Sequence, residues 1–516
     1  MYFPRSLLLT FITLVTLAAA FGQKTERFVP NEILVKFDVL SEAALSRSAF
    51  EAFGAEFVEK LGDLGWHRVK LPGGMSVYDA ETRFLRHPSV LAVQPNYYYS
   101  LLTTPNDPQY PTPGMWGLPK ISAPDAWKLT TGSSEVVVAV IDTGMRLTHE
   151  DLAANLWINP DEIPGNGIDD DGNGFIDDVH GWDFRFDDND PSDQHGHGTH
   201  VAGTIGAVGN NGIGTVGVNW NVRLMPIKIY SQAANDTTSA MLINAYNYVR
   251  MMKLRGVNIR VSNNSYGGCN EACGFDQATK DAIDALGDAG VLNIFAAGNN
   301  NRNTDEIPFY PGSYDSPSIL NVANSTSADV RASTSNFGVA TVDLAAPGSA
   351  ILSTTNGSDS SYGGSSGTSM AAPHVAGAAA LLAAHRPDLS AASLKATLMN
   401  TVDELPAWQG LVRTGGRLNV FAAMKSPTVC TFVPETESIF VPTKGGVFTI
   451  NVEAPPNCDH TVRASRHWIQ TISPRNLSGS GTVQVRVTVN NTRVRNGELL
   501  VGGVPVVITQ SRGGKE

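Results

Sequence analysis

Cysteine is scarce, with four residues in 516. A chain this long is not a small scaffold held by its bridges, so its fold has to come from buried apolar cores. Cys269 and Cys273 have no second Cys or His pair close by in sequence, which sets aside the usual zinc spacings. Basic blocks are missing too. Thirty-seven Lys and Arg face 49 Asp and Glu, for a formal net charge of −12, and that balance excludes a nucleic-acid partner. Long apolar runs are few. The run over 7–20 is shorter than the roughly 20 residues of a membrane span. With Arg5 before it and Ala18-Ala19-Ala20-Phe21-Gly22 closing it, it reads as a secretory signal over 1–22. The run over 370–384 contains Pro373 and His374 and reads as a buried core helix. The expected location is extracellular, with cell-surface association as a variant, and there Cys269 can pair with Cys273 and Cys430 with Cys458.

What the chain does have is length and 42% hydrophobic residues, enough for more than one folded unit. Three runs carry chemistry. Val138-Ala139-Val140-Ile141-Asp142-Thr143-Gly144 ends a buried strand in a carboxylate, and His197-Gly198-Thr199-His200-Val201-Ala202-Gly203 opens a helix on an imidazole. Gly367-Thr368-Ser369-Met370-Ala371-Ala372-Pro373-His374-Val375-Ala376-Gly377 sets a serine where a glycine-led loop becomes an apolar helix. A serine hydroxyl is a poor nucleophile at neutral pH. It needs a base, and the base needs a partner that fixes its tautomer and stabilises its cation. Ser369 is read as nucleophile, His197 as base and then acid, and Asp142 as the orienting carboxylate. Taken singly, Asp142 could be a turn residue and Ser369 a helix N-cap. The chain order Asp, His, Ser, with all three contexts present, favours the joint reading and separates it from the chymotrypsin and α/β-hydrolase orders.

On these motifs, residues 106–424 resemble the subtilisin family of serine proteases, in its thermitase and proteinase K branch. The pattern of the central region agrees: apolar strands at 136–141, 224–229, 259–262, 291–297, 319–323 and 342–345 alternate with helices at 197–207, 239–255, 275–289, 369–384 and 393–400. That is an α/β fold, a mainly parallel sheet between two helical layers. The resemblance implies that Asn299, in Ala296-Ala297-Gly298-Asn299, donates to the oxyanion beside the Ser369 backbone N–H. It also implies that Ser265, Tyr266 and Gly267 pair with an extended substrate and, with Ala296, Ala297 and Gly298, wall the S1 pocket. Tyr310-Pro311 would form a cis-proline turn, with Phe309 on the pocket floor.

Calcium is the expected cofactor. Asp169, Asp171 and Asn173 are spaced like positions 1, 3 and 5 of an EF-hand loop, with a carbonyl available from Phe175. His180 stands where the bidentate Glu would be, so Asp177 or Asp178 must substitute. The resemblance adds a strong site at Asp107, Asp151, the Asn211 side chain and the carbonyls of Val208, Ile213 and Thr215, and a weaker one at Asp183, Asp188 and Asp190.

Around this peptidase domain (103–425) the chain divides further. Residues 23–102 resemble an inhibitor propeptide, a small α/β unit with strands at 32–37 and 66–71 and a helix over 42–53. Its exit would lie in the cleft until self-cleavage between Tyr98 and Asn106. Residues 428–516 alternate apolar and polar positions in short strands, the pattern of a β-sandwich. Cys458, Trp468-Ile469, Arg495-Asn496-Gly497 and Gln510 resemble a BACON-type β-domain, with His460 where a tryptophan would be expected. The partners implied are polypeptide substrates, the chain's own propeptide as chaperone and inhibitor, and a carbohydrate or surface ligand for the sandwich, which could equally be a spacer. A monomer is expected. Several motifs are set aside. Gly212-Ile213-Gly214-Thr215-Val216-Gly217 follows no strand, Gly363-x-Ser365-x-Gly367 lacks the strand an esterase elbow needs, and His195, His197 and His200 lack the glutamate of a zinc helix.

Overall fold

The computed structural model describes residues 28–37, 50–97, 104–268, 274–426, 429–473, 476–491, 493–502 and 504–511. The signal segment, most of the 42–53 helix, the Cys269–Cys273 pairing and part of the self-cleavage window lie outside the described residues. The chain divides into two compact units, residues 1–101 and 102–516, so the region over 103–425 and the C-terminal β-region cluster together.

The first unit is a four-stranded antiparallel sheet in the order Glu56–Leu61, Trp66–Lys70, Phe28–Phe37, Val90–Tyr97. The helix Val77–Phe84 starts at Ser76, whose hydroxyl accepts the Asp79 N–H, and buries Val77, Ala80 and Phe84. Those three share one helical face, so the helix has one way to lie on a core with Ile33, Val35 and Phe37.

The second unit is built on a nine-stranded sheet. Its order is Asp403–Glu404, Gly416–Arg417, Leu344–Pro347, Ile319–Ser325, Leu292–Ala296, Ile259–Asn264, Gly132–Asp142, Asn221–Lys228, Trp182–Asp183. All neighbours are parallel except the first pair. Val136 to Ile141 are buried without a break, as a strand covered on both faces requires. Val138 and Val140 face one core, with the helix Thr368–His385 running through it. Val137, Ala139 and Ile141 face a second, under Ser239–Leu254 and Gln277–Asp288. The helix Thr368–His385 is buried almost all round, which is why its sequence is apolar on every face. Strand carboxyl ends and helix amino ends thus meet along one edge of the sheet, where Asp142, His197 and Ser369 lie.

Residues after 428 form two packed sheets. One is ordered Val433–Pro434, Gly446–Glu453, Gly481–Val487, Ile469–Thr471; the other Ser438–Val441, Val504–Gln510, Arg495–Val501, Asp459–Ala464, Asn476–Ser478. Alternate residues such as Val483, Val485 and Val487 from one and Leu499, Val501, Val506 and Ile508 from the other share a core, so this is a sandwich. The sequence landmarks form one contact set. Arg495 lies over the Trp468 ring at 4.4 Å and donates to Gln510 Oε1 at 2.8 Å, while a Cβ at Gly497 would come within 3.0 Å of both Ile469 and Trp468. His460 is buried with its ring 4.7 Å from that of Phe432.

Cys430 and Cys458 are bridged across 28 residues. A bridge of that span stabilises by about 3–4 kcal/mol, chiefly by restricting the unfolded ensemble. Reduction is therefore expected to loosen the sandwich before the nine-stranded core, which hydrogen exchange with and without reductant would resolve. Titration of four thiols in denatured, unreduced protein would rule the bridge out.

Candidate active site

Asp142 closes its strand buried, 2% exposed, and its Oδ1 lies 2.7 Å from His197 Nδ1. The same oxygen accepts the Thr143 N–H at 2.7 Å, which fixes the carboxylate. His197 opens the helix His197–Gly206 with its side chain 25% exposed. Burial works to lower the imidazole pKa, but the charge and hydrogen bond of Asp142, then the charge of Asp193, more than offset it. The result lies above the ordinary histidine value.

Asp193 is a residue the sequence reading missed. One carboxylate oxygen accepts the N–H groups of His195 and Gly196 at 2.9 and 2.8 Å and the Thr143 hydroxyl at 2.9 Å. The other accepts the Thr199 N–H and hydroxyl at 2.9 and 2.6 Å. It satisfies the Gly196 and Thr199 N–H groups at the start of the His197 helix, the Gly198 N–H going to Thr143 Oγ1 at 2.9 Å, and so ties that helix to the end of the Asp142 strand. The available signal was an aspartate just ahead of a helix-opening histidine.

Ser369 lies in the first turn of its helix, behind Gly367 at φ +155°. Its Oγ donates to the Ser265 carbonyl at 3.1 Å, so the hydroxyl has to rotate to reach His197 Nε2, a common difference between free and substrate-bound sites. Asn299 is oriented by Thr368. Its Oδ1 accepts the Thr368 N–H at 2.9 Å and hydroxyl at 3.2 Å, and that hydroxyl accepts the Gly298 N–H at 3.1 Å. The amide is thereby fixed through its oxygen, in the lining of the cleft.

These groups line a cleft of about 770 Å³ together with Ser265, Tyr266, Gly267, Ala296, Gly298 and Phe309. Ala297 is fully buried behind its wall, and Tyr266 turns its hydroxyl inward to Asn264 Oδ1 at 3.0 Å. Tyr310-Pro311 is cis. The Phe309 ring packs against glycines of both segments. A Cβ at Gly267, Gly268 or Gly298 would lie 2.7, 2.2 or 2.9 Å from its atoms, so only glycine leaves the ring its place. His200 is buried with Nε2 3.0 Å from the Ile351 carbonyl, and Ser365 sits on the hairpin strand Tyr362–Ser365.

The Subtilase family matches residues 133–421, more than half of the chain. The chain belongs to this family. The fervidolysin N-terminal prodomain matches residues 16–96. Thermitase of Thermoactinomyces vulgaris is 33% identical over 322 residues, 62% of this chain and 99% of that protein. Subtilisin-like protease 1 of Plasmodium berghei (strain Anka) is 33% identical over 335 residues, 60% of this chain. The chain spans about half the length of that relative, 53%. A solved protease from Pseudoalteromonas arctica PAMC 21717 superposes with a TM-score of 0.51 at 32% identity, over 62% of this chain and 99% of its own. The subtilase is accordingly a serine endopeptidase that carries a prodomain, the composition of a zymogen.

The acidic residues of the subtilase fall into three arrangements. Asp171 and Asp178 meet Glu162, their ligand atoms lying within 4.8 Å of one another. Glu162 is 6% exposed, and its Oε2 is buried without a hydrogen-bond partner. The Asn173 amide donates to both aspartates at 3.1 and 3.0 Å. Burial pushes Asp178 up to about 6. Asp169 and Asp177 shape the loop instead, accepting the backbone N–H groups of Asn173 and Gly174 and of Asn166 and Gly167. The Phe175 ring packs edge-on against Trp182 and Tyr248, each at 4.9 Å.

In the second arrangement Asp107 and Asp151 are both buried and linked through Asn211. Asp107 accepts the Asn211 N–H at 3.3 Å, and the Asn211 amide donates to Asp151 at 2.8 Å. Asp151 also accepts the Thr215 N–H at 2.9 Å, and its own carbonyl accepts the Val208 N–H. The Ile213 N–H donates to Asn211 Oδ1 at 2.8 Å. Burial raises Asp151 to about 6 despite those hydrogen bonds.

The third expected group is not assembled. Asp183 pairs with the buried Lys228 at 2.7 Å, while Asp188 and Asp190 accept the backbone N–H groups of Asp190 and Ser192. Among the described residues these three carboxylates do not converge. The lysine already neutralises the one that is buried.

Proposed function

We propose that this subtilase is a secreted, calcium-stabilised endopeptidase that hydrolyses peptide bonds through Asp142, His197 and Ser369 and releases itself from its own prodomain. The observation that carries the reading is the buried Asp142 carboxylate 2.7 Å from His197 in the cleft that Ser369 and Asn299 share. An extended peptide adds as a strand along 265–267. Ser369 rotates its proton to His197 Nε2 and attacks the scissile carbonyl, and the imidazolium formed is stabilised by Asp142. The developing oxyanion takes hydrogen bonds from the Asn299 NH₂ and the Ser369 N–H. In subtilisin, losing such a side-chain donor costs about 10²–10³ in kcat, a magnitude carried over from that enzyme. His197 then protonates the leaving amine, and water repeats the sequence on the acyl-enzyme. An organophosphonate probe tests this directly. It should label the wild type and not Ser369→Ala. Failure to label, with folded protein, would make the domain a non-catalytic scaffold.

Two of the acidic arrangements fit calcium, a hard cation that takes oxygen ligands. Asp107, Asp151 and Asn211, with the carbonyls of Val208, Ile213 and Thr215, would hold one ion; Glu162, Asp171 and Asp178 would hold another. The ion supplies charge that offsets the burial of these carboxylates. A ligand bound only by the native state stabilises it by about 2.7 kcal/mol at a hundredfold excess over Kd, or roughly 3–4 °C in Tm for a domain of this size. Excess EGTA should therefore lower Tm and hasten autolysis. An unchanged Tm, with metal analysis confirming removal, overturns the assignment.

The position of Phe309 sets the specificity. Its ring packs against Gly267, Gly268 and Gly298 within the cleft, which points to small or medium apolar side chains at P1.

A further inference from the structure

The turn that carries Phe309 is bonded to itself. The Phe309 N–H donates to Ser313 Oγ and the Ser313 N–H to the Phe309 carbonyl, each at 3.0 Å, and Tyr314 stacks on Tyr310 at 4.6 Å. Beyond this turn, 315–317 runs between the peptidase core and the C-terminal sandwich along a cavity of about 370 Å³, lined also by Lys395, Asp459 and Asn476. Two donors take carbonyls that a turn at a free surface would give to water. Asn476, on the sandwich, donates its Nδ2–H to the Asp315 carbonyl at 2.6 Å. Lys395 Nζ reaches the Pro317 carbonyl at 3.3 Å and is itself held by Asp459 of the sandwich at 2.6 Å, with its side chain only 3% exposed. The Cys430–Cys458 bridge ends next to Asp459, and the Cys430 N–H donates to Ser393 Oγ at 2.9 Å, two residues from Lys395. The sandwich is therefore fastened at the back of the turn whose front closes the substrate pocket.

We propose that the sandwich braces the S1 pocket: Asn476 and the Lys395–Asp459 pair hold 309–317 in place, keep Phe309 packed against Gly267, Gly268 and Gly298 and so help to select P1. The inference rests on the reading of Phe309 as the ring that fills S1. Asn476 and Lys395 act as positioning residues, since neither touches substrate.

The experiment uses full-length, self-processed enzyme and peptide p-nitroanilides with Ala or Phe at P1. Asn476→Asp keeps the size of the side chain and removes the donor. Lys395→Met removes the link to Pro317, and Phe309→Gly is the control. The expected result is a Phe-to-Ala ratio of kcat/KM raised about three- to tenfold in Asn476→Asp and Lys395→Met, the scale of one lost hydrogen bond. Asn476→Gln, which keeps a donor, should lie closer to the wild type. A ratio unmoved in both brace variants while Phe309→Gly moves it overturns the brace and leaves the pocket reading standing. An equal fall on both substrates with lower Tm means the contacts are merely structural, and also overturns it. A ratio unmoved by Phe309→Gly removes the premise, and the brace falls with it.

Discussion

Ser369→Ala is expected to leave no measurable endopeptidase activity and a precursor that stays whole. On the proposed mechanism the substitution removes the attacking oxygen, and His197 and Asp142 then have no hydroxyl to activate. Groups that act as a unit are lost as a unit. In subtilisin, removal of the serine or the histidine alone costs about 2 × 10⁶ in kcat and of the aspartate about 3 × 10⁴, magnitudes carried over from that enzyme. His197→Ala should match the serine variant, with Asp142→Asn less severe. The pH profile supplies a second reading. His197 works as a base only when neutral, and its pKa is held above the ordinary value chiefly by Asp142, so kcat/KM should rise with pH through a limb above about 6.5. Asp142→Asn removes the charge that raises it, so the residual activity should show that limb shifted to lower pH. Maturation of purified Ser369→Ala without any other protease would refute self-processing.

Much of this arrangement was legible in the sequence because each piece is local. Unbroken apolar runs such as 136–141 name strands covered on both faces, and Asp142, His197 and Ser369 each sit at the end of an element that its own neighbours define. What was not legible comes from contacts made through space. Glu162 reaches Asp171 and Asp178 only because the loop turns back on it, and it lies outside the twelve-residue spacing of an EF-hand. Lys228 neutralises Asp183 from a neighbouring strand 45 residues away, so a run of acids that looks like a cation site is partly an ion pair. Asp193 stands among polar residues, and nothing in its spacing says that it binds both the helix of His197 and the strand end of Asp142. In the first unit, Glu56–Leu61 and Val77–Phe84 are short elements with few buried positions, which leave little periodicity to read.

Phe309→Gly is expected to turn a protease that prefers alanine at P1 into one that prefers phenylalanine. From sequence alone the ring could equally have turned outward, and its direction is decided by three glycines from two separate strand ends. A Cβ on Gly267 or Gly298 would collide with the Cδ1–Cε1 edge of the ring, and one on Gly268 with its Cδ2–Cε2 edge. On the proposed S1 reading the ring occupies volume that a large P1 side chain needs. Forcing extra bulk into a close-packed site costs about 1–3 kcal/mol, which is roughly tenfold to a hundredfold in discrimination. Emptying the slot should return that factor to aromatic substrates, with a smaller loss on alanine, whose methyl would then have less to pack against. A panel of peptides differing only at P1, compared by kcat/KM, reads both changes at once. Wild-type preference for Phe or Tyr, unchanged in Phe309→Gly, would show that substrate displaces the ring and that the two glycine walls select P1 without it.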